Sequence, residues 1–178
     1  ANIYKKGVDE VTRDERTKAK RANFGIIYGI TVFGLAERLD ISRDEAKQLI
    51  DGYFEAFPMV HQYMETSKEM ARKHGYAETF FHRRRYLPDI NSRNATVRNF
   101  AERNAINAPI QGSAADIIKV AMIRIYRRFR EEGIRSKMIL QVHDELNFSV
   151  FPEERERVEQ IVLQEMQGAY HLSVPLVA

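Results

Sequence analysis

Apolar positions recur at helical spacing over most of the chain and at strand spacing in a few short stretches. Two tetrads, Thr12-Arg13-Asp14-Glu15 and Ser42-Arg43-Asp44-Glu45, have the capping-box form. In such a box a hydroxyl and a carboxylate satisfy the free N–H groups at a helix start. They predict one helix from just after Thr12 to Gly29, and a second with Ala46, Leu49, Ile50, Tyr53 and Phe54 at helical spacing. A short helix at residues 32–39 is expected between them. Phe57-Pro58 breaks the second helix, and Pro58 suits the first position of another that ends before Gly75. The period then changes, and residues 76–79 and 85–88 read as a small hairpin or irregular loop around Arg83, Arg84 and Arg85.

Helical spacing returns near Asn94, is interrupted at Pro109 and Gly112, and continues through Ile117, Ile118, Ala121, Met122 and Ile125 to Gly133. The best strand pair follows, residues 137–142 and 146–151, joined by His143, Asp144 and Glu145. A last helix is expected over 152–170 and one more strand over 173–177. A mostly helical chain with a small, late antiparallel sheet is of the α+β class.

On the first helix, Arg16, Lys20, Phe24 and Tyr28 stand four apart. Each step of four overshoots a full turn by only about 40°, so the four share one face over roughly 18 Å of helix. Two cations followed by two rings have the layout of a nucleoside triphosphate site. The same spacing also describes a solvated Arg/Lys face running into a buried Phe/Tyr face. Spacing leaves both readings open.

The 178 residues suffice for one sizeable core or two small subdomains. A net charge of +3 and a pI near 9.1 are compatible with nucleic acid without requiring it. Basic residues cluster at Lys18, Lys20 and Arg21, at Arg83–Arg85 and from Arg124 to Arg130. The absence of cysteine excludes disulfides and thiolate-bound metals and fits a cytoplasmic protein. No apolar run approaches the roughly 20 residues that span a bilayer, so no membrane partner is expected. The chain begins ANIYKKGVDE without an initiator Met and ends on SVPLVA, and we expect it to be a piece of a longer protein.

The hairpin tip departs from local rules. Tight turns favour Asn-Gly or Asp-Gly, and here His143-Asp144-Glu145 puts two carboxylates side by side. Such oxygens suit Mg²⁺, which takes one or two carboxylates together with substrate phosphates. A solvated acidic turn is the plain alternative. A His-Asp phosphohydrolase is disfavoured, because His61, His74, His82 and His171 show no ligand-like spacing.

Taken together, these motifs resemble the family A DNA polymerases in their bacterial form. Arg16-xxx-Lys20-xxx-Phe24-Gly25-xx-Tyr28-Gly29 is similar to the family's motif B on the fingers helix. Val142-His143-Asp144-Glu145 is similar to its motif C. The segments from Arg103 to Asp116 and from Arg83 to Pro88 match two further recurrent stretches. The resemblance covers essentially the whole chain.

It implies a fingers subdomain over 1–93, truncated at its N-terminus, and a partial palm subdomain over 94–178. The implied partners are primer–template DNA and dNTPs. Arg16 and Lys20 are implied to hold the triphosphate, with Lys20 protonating the departing pyrophosphate. Phe24 is implied to pack on the sugar, and Phe at this position goes in the family with discrimination against dideoxynucleotides. Tyr28 is implied to stack near the templating base.

Asp144 is implied to ligate catalytic Mg²⁺ ions, with Glu145 supporting it and His143 near the primer terminus and incoming nucleotide. Arg103, Asn107 and Gln111, again four apart, are implied to touch DNA. The family's second metal-binding aspartate lies on an upstream strand with an Asp-Tyr-Ser-like segment, and this sequence has none. The expectation is therefore part of a template-directed DNA polymerase of the bacterial cytoplasm and nucleoid, inactive as the isolated piece. It would self-associate only through cut sheet edges. The competing class is a non-catalytic nucleic-acid-binding module, which gains nothing from two carboxylates that repel phosphate. A single-subunit RNA polymerase fits the QGSAAD and VHDE segments less well.

Overall fold

The computed structural model describes Tyr4 and residues 6–178. Its helices are α1 (Arg13–Ile27), α2 (Val32–Leu39), α3 (Arg43–Ala56), α4 (Pro58–His74), α5 (Ala95–Glu131) and α6 (Arg155–Gln167). Its strands are β1 (Tyr76–Glu78), β2 (Arg84–Tyr86), β3 (Lys137–Val142) and β4 (Glu145–Ser149). β1 pairs with β2 and β3 with β4, both antiparallel. The α+β expectation is met. The chain divides into two compact units, Ala1–Gly112 and Ser113–Ala178, with the division inside α5.

Local signals set the helix starts. Thr12 Oγ1 accepts from Glu15 N–H at 3.2 Å, and the Glu15 carboxylate accepts from Thr12 N–H at 2.9 Å. Ser42 Oγ accepts from Glu45 N–H at 3.1 Å. Pro58 opens α4, and Gly75 closes it at φ +78°, a left-handed conformation open to glycine without strain.

In the N-terminal unit, Ala22 and Ile26 of α1 pack with Leu35, Ala36, Leu39, Ala46, Leu49, Tyr53, Met64 and Ile106. A second cluster joins Ala71, Ala77, Leu87 and Ile90 to Ala101, Ala105 and Ala108 of α5. The alanines let α5 lie close against α4 and the β1–β2 hairpin, since they bring no bulk to the contact.

Pro109 and Gly112 do not interrupt the helix as expected, and α5 runs straight through both. Proline removes one ladder hydrogen bond and crowds the turn before it. Here the Tyr63 hydroxyl donates to the Ile106 carbonyl at 2.8 Å, supplying a donor in the disturbed turn. Gly112 has a packing reason. A Cβ there would lie 2.6 Å from Thr79 Cγ2, and Arg83 Nη2 donates to the Gly112 carbonyl at 3.2 Å.

In the C-terminal unit Ile125 and Phe129 pack with Val158 and Ile161, and Met138, Leu146 and Phe148 close over them. A polar knot fixes the hairpin base. The Glu154 carboxylate accepts from Ser136 N–H at 2.8 Å, Ser136 Oγ at 2.5 Å and Arg135 N–H at 2.9 Å. Ser136 Oγ in turn accepts from Phe151 N–H at 3.0 Å.

Two expectations near the C-terminus are corrected. The last helix ends at Gln167, capped at Gly168, and not near 170. Residues 173–177 form no strand, because no neighbour pairs with them among the described residues and Pro175 has no N–H to offer.

Three donors hold the Glu154 carboxyl down at about 2, the Ser136 hydroxyl contributing most. Its folded pKa lies below the unfolded value, so its stabilisation is complete above about pH 4.5 and fades as pH falls towards 2. Thermal melting from pH 6 to pH 2 should show this loss, and Glu154→Gln should flatten the slope while lowering stability at neutral pH. Gly112→Ala should destabilise by about 1–3 kcal/mol in urea titration, because the new methyl must displace Thr79.

Candidate nucleotide and metal site

All four residues of the α1 row, Arg16, Lys20, Phe24 and Tyr28, are exposed. Phe24 and Tyr28 keep 50% and 44% of their surface in water, so the buried Phe/Tyr reading fails. The face that is buried carries Ala22, Gly25 and Ile26. Local geometry enforces this orientation. A Cβ on Gly25 would lie 3.0 Å from Ile30 Cγ2, and a Cβ on Gly34 would lie 3.2 Å from Ile30 Cγ1. Ile30 is therefore wedged between glycines of α1 and α2, and Ile30 N–H donates to the Gly25 carbonyl at 2.9 Å.

Arg13, Arg16, Thr17, Lys20, Arg21, Phe24 and Arg38 line a groove of about 610 Å³. It holds five cations, no carboxylate and one aromatic ring. Among the described residues these five cations form no ion pair, whereas their neighbour Lys18 lies 3.1 Å from Asp14 and 3.6 Å from Glu45. The basic cluster at 18–21 is thus split: Lys18 ties α1 to α3, and Lys20 and Arg21 face the groove. Sequence reading missed Arg13, Thr17, Arg21 and Arg38 as parts of this surface. The first three were legible as a second row at the same step of four, and Arg38 was not, because it arrives from α2.

Arg103, Asn107 and Gln111 do not form a fully exposed face. Arg103 and Asn107 are half-buried and Gln111 is exposed. The Arg103 side chain lies over Gly29, where a Cβ would meet Arg103 Cγ at 2.9 Å, and Gly29 sits at φ +72°. The Arg103 guanidinium is 5.7 Å from the exposed Phe100 ring.

The other basic clusters are partly structural. Arg84 pairs with Glu78 at 2.9 Å and stacks 4.4 Å over Tyr76. Arg128 bonds Glu165 at 2.8 Å and Arg124 bonds the Gly168 carbonyl at 2.6 Å, so both serve to hold α6.

The β3–β4 hairpin of the C-terminal unit corrects the turn expectation. Val142 pairs directly with Glu145, so the turn is His143-Asp144 alone and Glu145 is the first residue of β4. A two-residue turn matches the twist of its strands, and its first central residue needs positive φ. His143 supplies this at φ +55°, an uncommon conformation in which His is tolerated better than most residues. Gln141 Nε2 donates to the His143 carbonyl at 2.5 Å and braces the turn.

Asp144 stands at the tip and is exposed. Glu145 is also exposed, on the strand face opposite Leu146 and Phe148. Neither carboxylate has a cation partner among the described residues. Hard oxygens left unneutralised fit a divalent cation, but no group of three or more metal-binding side chains occurs among the described residues.

A family model described as DNA polymerase family A matches residues 1–178. The chain is 53% identical over 175 residues to DNA polymerase I of Bacillus caldotenax, a match covering 98% of this chain and 20% of that relative. It is 54% identical over 170 residues to DNA polymerase I of Streptococcus pneumoniae, covering 96% of this chain and 19% of the relative. A solved structure, described as the POL domain of Pol1 from M. smegmatis in complex with DNA primer-template and dNTP, is similar with a TM-score of 0.92 and 47% identity. That match covers 98% of this chain and 31% of the other. The chain spans about a fifth of the length of the curated relatives it matches.

Burial predicts how the two faces of α1 respond to truncation. Ile26→Ala should cost about 2–5 kcal/mol in urea titration. Phe24→Ala, with half its ring already in water, should cost less than half as much.

Proposed function

The chain belongs to the DNA polymerase family A, and from that premise we propose that it is the fingers and partial palm of a template-directed DNA polymerase. The reaction is Mg²⁺-dependent nucleotidyl transfer. The primer 3′ oxygen attacks the α-phosphorus of a dNTP, and the bond to pyrophosphate breaks. Residues 1–93 act as fingers and 94–178 as palm. The observation that carries the proposal is the groove beside the exposed α1 row: five cations with no ion-pair partner and the Phe24 ring, a cost to stability that an anionic nucleotide offsets.

Arg16 and Lys20 bind the triphosphate as charge-assisted donors, and Lys20 donates a proton to the departing pyrophosphate. Phe24 packs on the sugar and Tyr28 lies by the templating base. Arg103, whose side chain lies over Gly29, contacts DNA together with Asn107 and Gln111. His143 lies near the primer terminus. Asp144 would hold magnesium, with Glu145 in support and an aspartate from an upstream strand completing the set. Bound metal would supply positive charge that offsets the negative charge developing in phosphoryl transfer.

The isolated 178 residues lack that upstream aspartate, which predicts no activity on their own. We place the longer protein in the bacterial cytoplasm at the nucleoid, and self-association of the piece at the edges of the β3–β4 sheet, where Ile139, Leu140 and Val142 are exposed.

Primer extension with Mg²⁺ and dNTPs should give no product with the 178-residue chain. In the longer protein, Asp144→Ala should abolish incorporation by at least about a thousandfold while duplex binding persists. Retained incorporation in that variant would remove the metal role of Asp144. A nucleic-acid-binding module without catalysis would leave the longer protein inert even with Asp144 intact.

A further inference from the structure

The reading above uses Arg16 and Lys20 and leaves three cations of the same groove without a role. Arg13 and Arg21 lie with Thr17 on a second row of α1, beside the row of Arg16, Lys20 and Phe24. Arg38 joins them from the last turn of α2. All three are exposed, and among the described residues none has an ion-pair partner.

The arrangement works against the stability of α1. Arg13 with Arg16, and Arg16 with Lys20, are like-charge pairs three and four residues apart. Arg13 and Arg16 also sit in the early turns, where the helix dipole disfavours cations. Carboxylates that could offset them are present on the same helix but are engaged elsewhere. Asp14 lies 3.1 Å from Lys18, and Glu15 bonds Lys6 at 2.6 Å and the Thr12 N–H at 2.9 Å. The groove is kept positive, and an anion of high charge density is the ligand that offsets the cost.

We propose that Arg13, Arg21 and Arg38 form a second bank of phosphate contacts beside Arg16 and Lys20. Together they make the groove a site for phosphate chains longer than a triphosphate. The ligand class is inorganic polyphosphate and nucleotides carrying more than three phosphates. The proposal rests on the triphosphate reading of Arg16 and Lys20.

Its reach follows from helix geometry. Arg16 and Lys20 are about 6 Å apart along the axis, whereas Arg13 to Arg21 spans about 12 Å. Phe24 closes the apolar end, so added phosphates extend towards Arg13. Guanidinium forks suit successive phosphates, because each can donate two parallel hydrogen bonds. A concave groove of about 610 Å³ favours a compact phosphate chain over an extended nucleic-acid strand.

Calorimetric titration of the intact 178-residue chain in EDTA tests this with dATP, deoxyadenosine 5′-tetraphosphate and inorganic tetrapolyphosphate, and with an oligo-dT strand as competitor. The tetraphosphate should bind several-fold tighter than dATP. Arg21→Gln and Arg38→Gln should each weaken tetraphosphate binding by about fivefold and erase most of that preference, with smaller loss for dATP. Tetrapolyphosphate affinity should fall in parallel in both variants and decline with added salt.

Both side chains are exposed, and matching melting curves will show that the variants fold. The proposal is overturned if wild type shows no preference for the tetraphosphate, or if both variants retain it. It is also overturned if an oligo-dT strand displaces tetrapolyphosphate at lower concentration than the nucleoside tetraphosphate does. Lys20→Ala separates the two levels. Unchanged dATP binding in that variant removes the triphosphate reading itself. Weakened dATP binding there, beside unaffected Arg21→Gln and Arg38→Gln, removes only the second bank.

Discussion

The wedge of Ile30 between Gly25 and Gly34 is the constraint from which the cationic groove follows. It holds the end of α1 against the start of α2 at a distance no Cβ would allow without displacement. With that contact made, Ala22 and Ile26 go into the core and the row of Arg16, Lys20, Phe24 and Tyr28 faces out. α2 leaves the turn in the direction that brings Arg38 to the same groove. Gly29 completes the reversal at φ +72° and leaves room for Arg103 to lie over it. A few short-range contacts therefore decide which faces are wet.

The economy of charge follows a similar logic. This chain has 28 basic and 25 acidic residues, and most of the basic clusters contain both kinds of role. Lys18, Arg84, Arg128 and Arg157 are paired with carboxylates and hold elements together. Such exposed pairs contribute little each, and their value lies in fixing partners. The groove cations differ because no carboxylate lines their surface. Charge that is left unneutralised beside concave shape is a stronger functional sign than charge density along the sequence.

The C-terminal unit solves a different problem with a small apparatus. A two-residue turn must present Asp144 at a defined point, yet it carries no glycine. Val142 paired with Glu145, the Gln141 amide on the His143 carbonyl and the Glu154–Ser136 knot at the hairpin base together hold it. His143 accepts positive φ within that frame. The exposed apolar residues of β3 and the two adjacent carboxylates, Asp144 and Glu145, both belong to this unit.

Much of this was legible in the sequence, for reasons that are local. The Thr12 and Ser42 boxes, Pro58 and Gly75 marked helix ends because caps depend on neighbours within a turn. The step of four among Arg16, Lys20, Phe24 and Tyr28 fixed a shared face by helix geometry alone. Sequence could not say whether that face was wet, since Phe and Tyr serve equally in cores and in sites.

It also misjudged Pro109: α5 continues through it, in a turn where the Tyr63 hydroxyl, 43 residues before Ile106, reaches the Ile106 carbonyl. The strand expected at 173–177 failed for a like reason: a strand needs a partner, and β-propensity does not supply one. Residue chemistry and periodicity determined the elements, the stripe and the acidic turn. Exposure of the rings, the arrival of Arg38, the seat of Arg103 on Gly29 and the pairing of Val142 with Glu145 were decided by contacts between segments, where packing and not spacing sets the outcome.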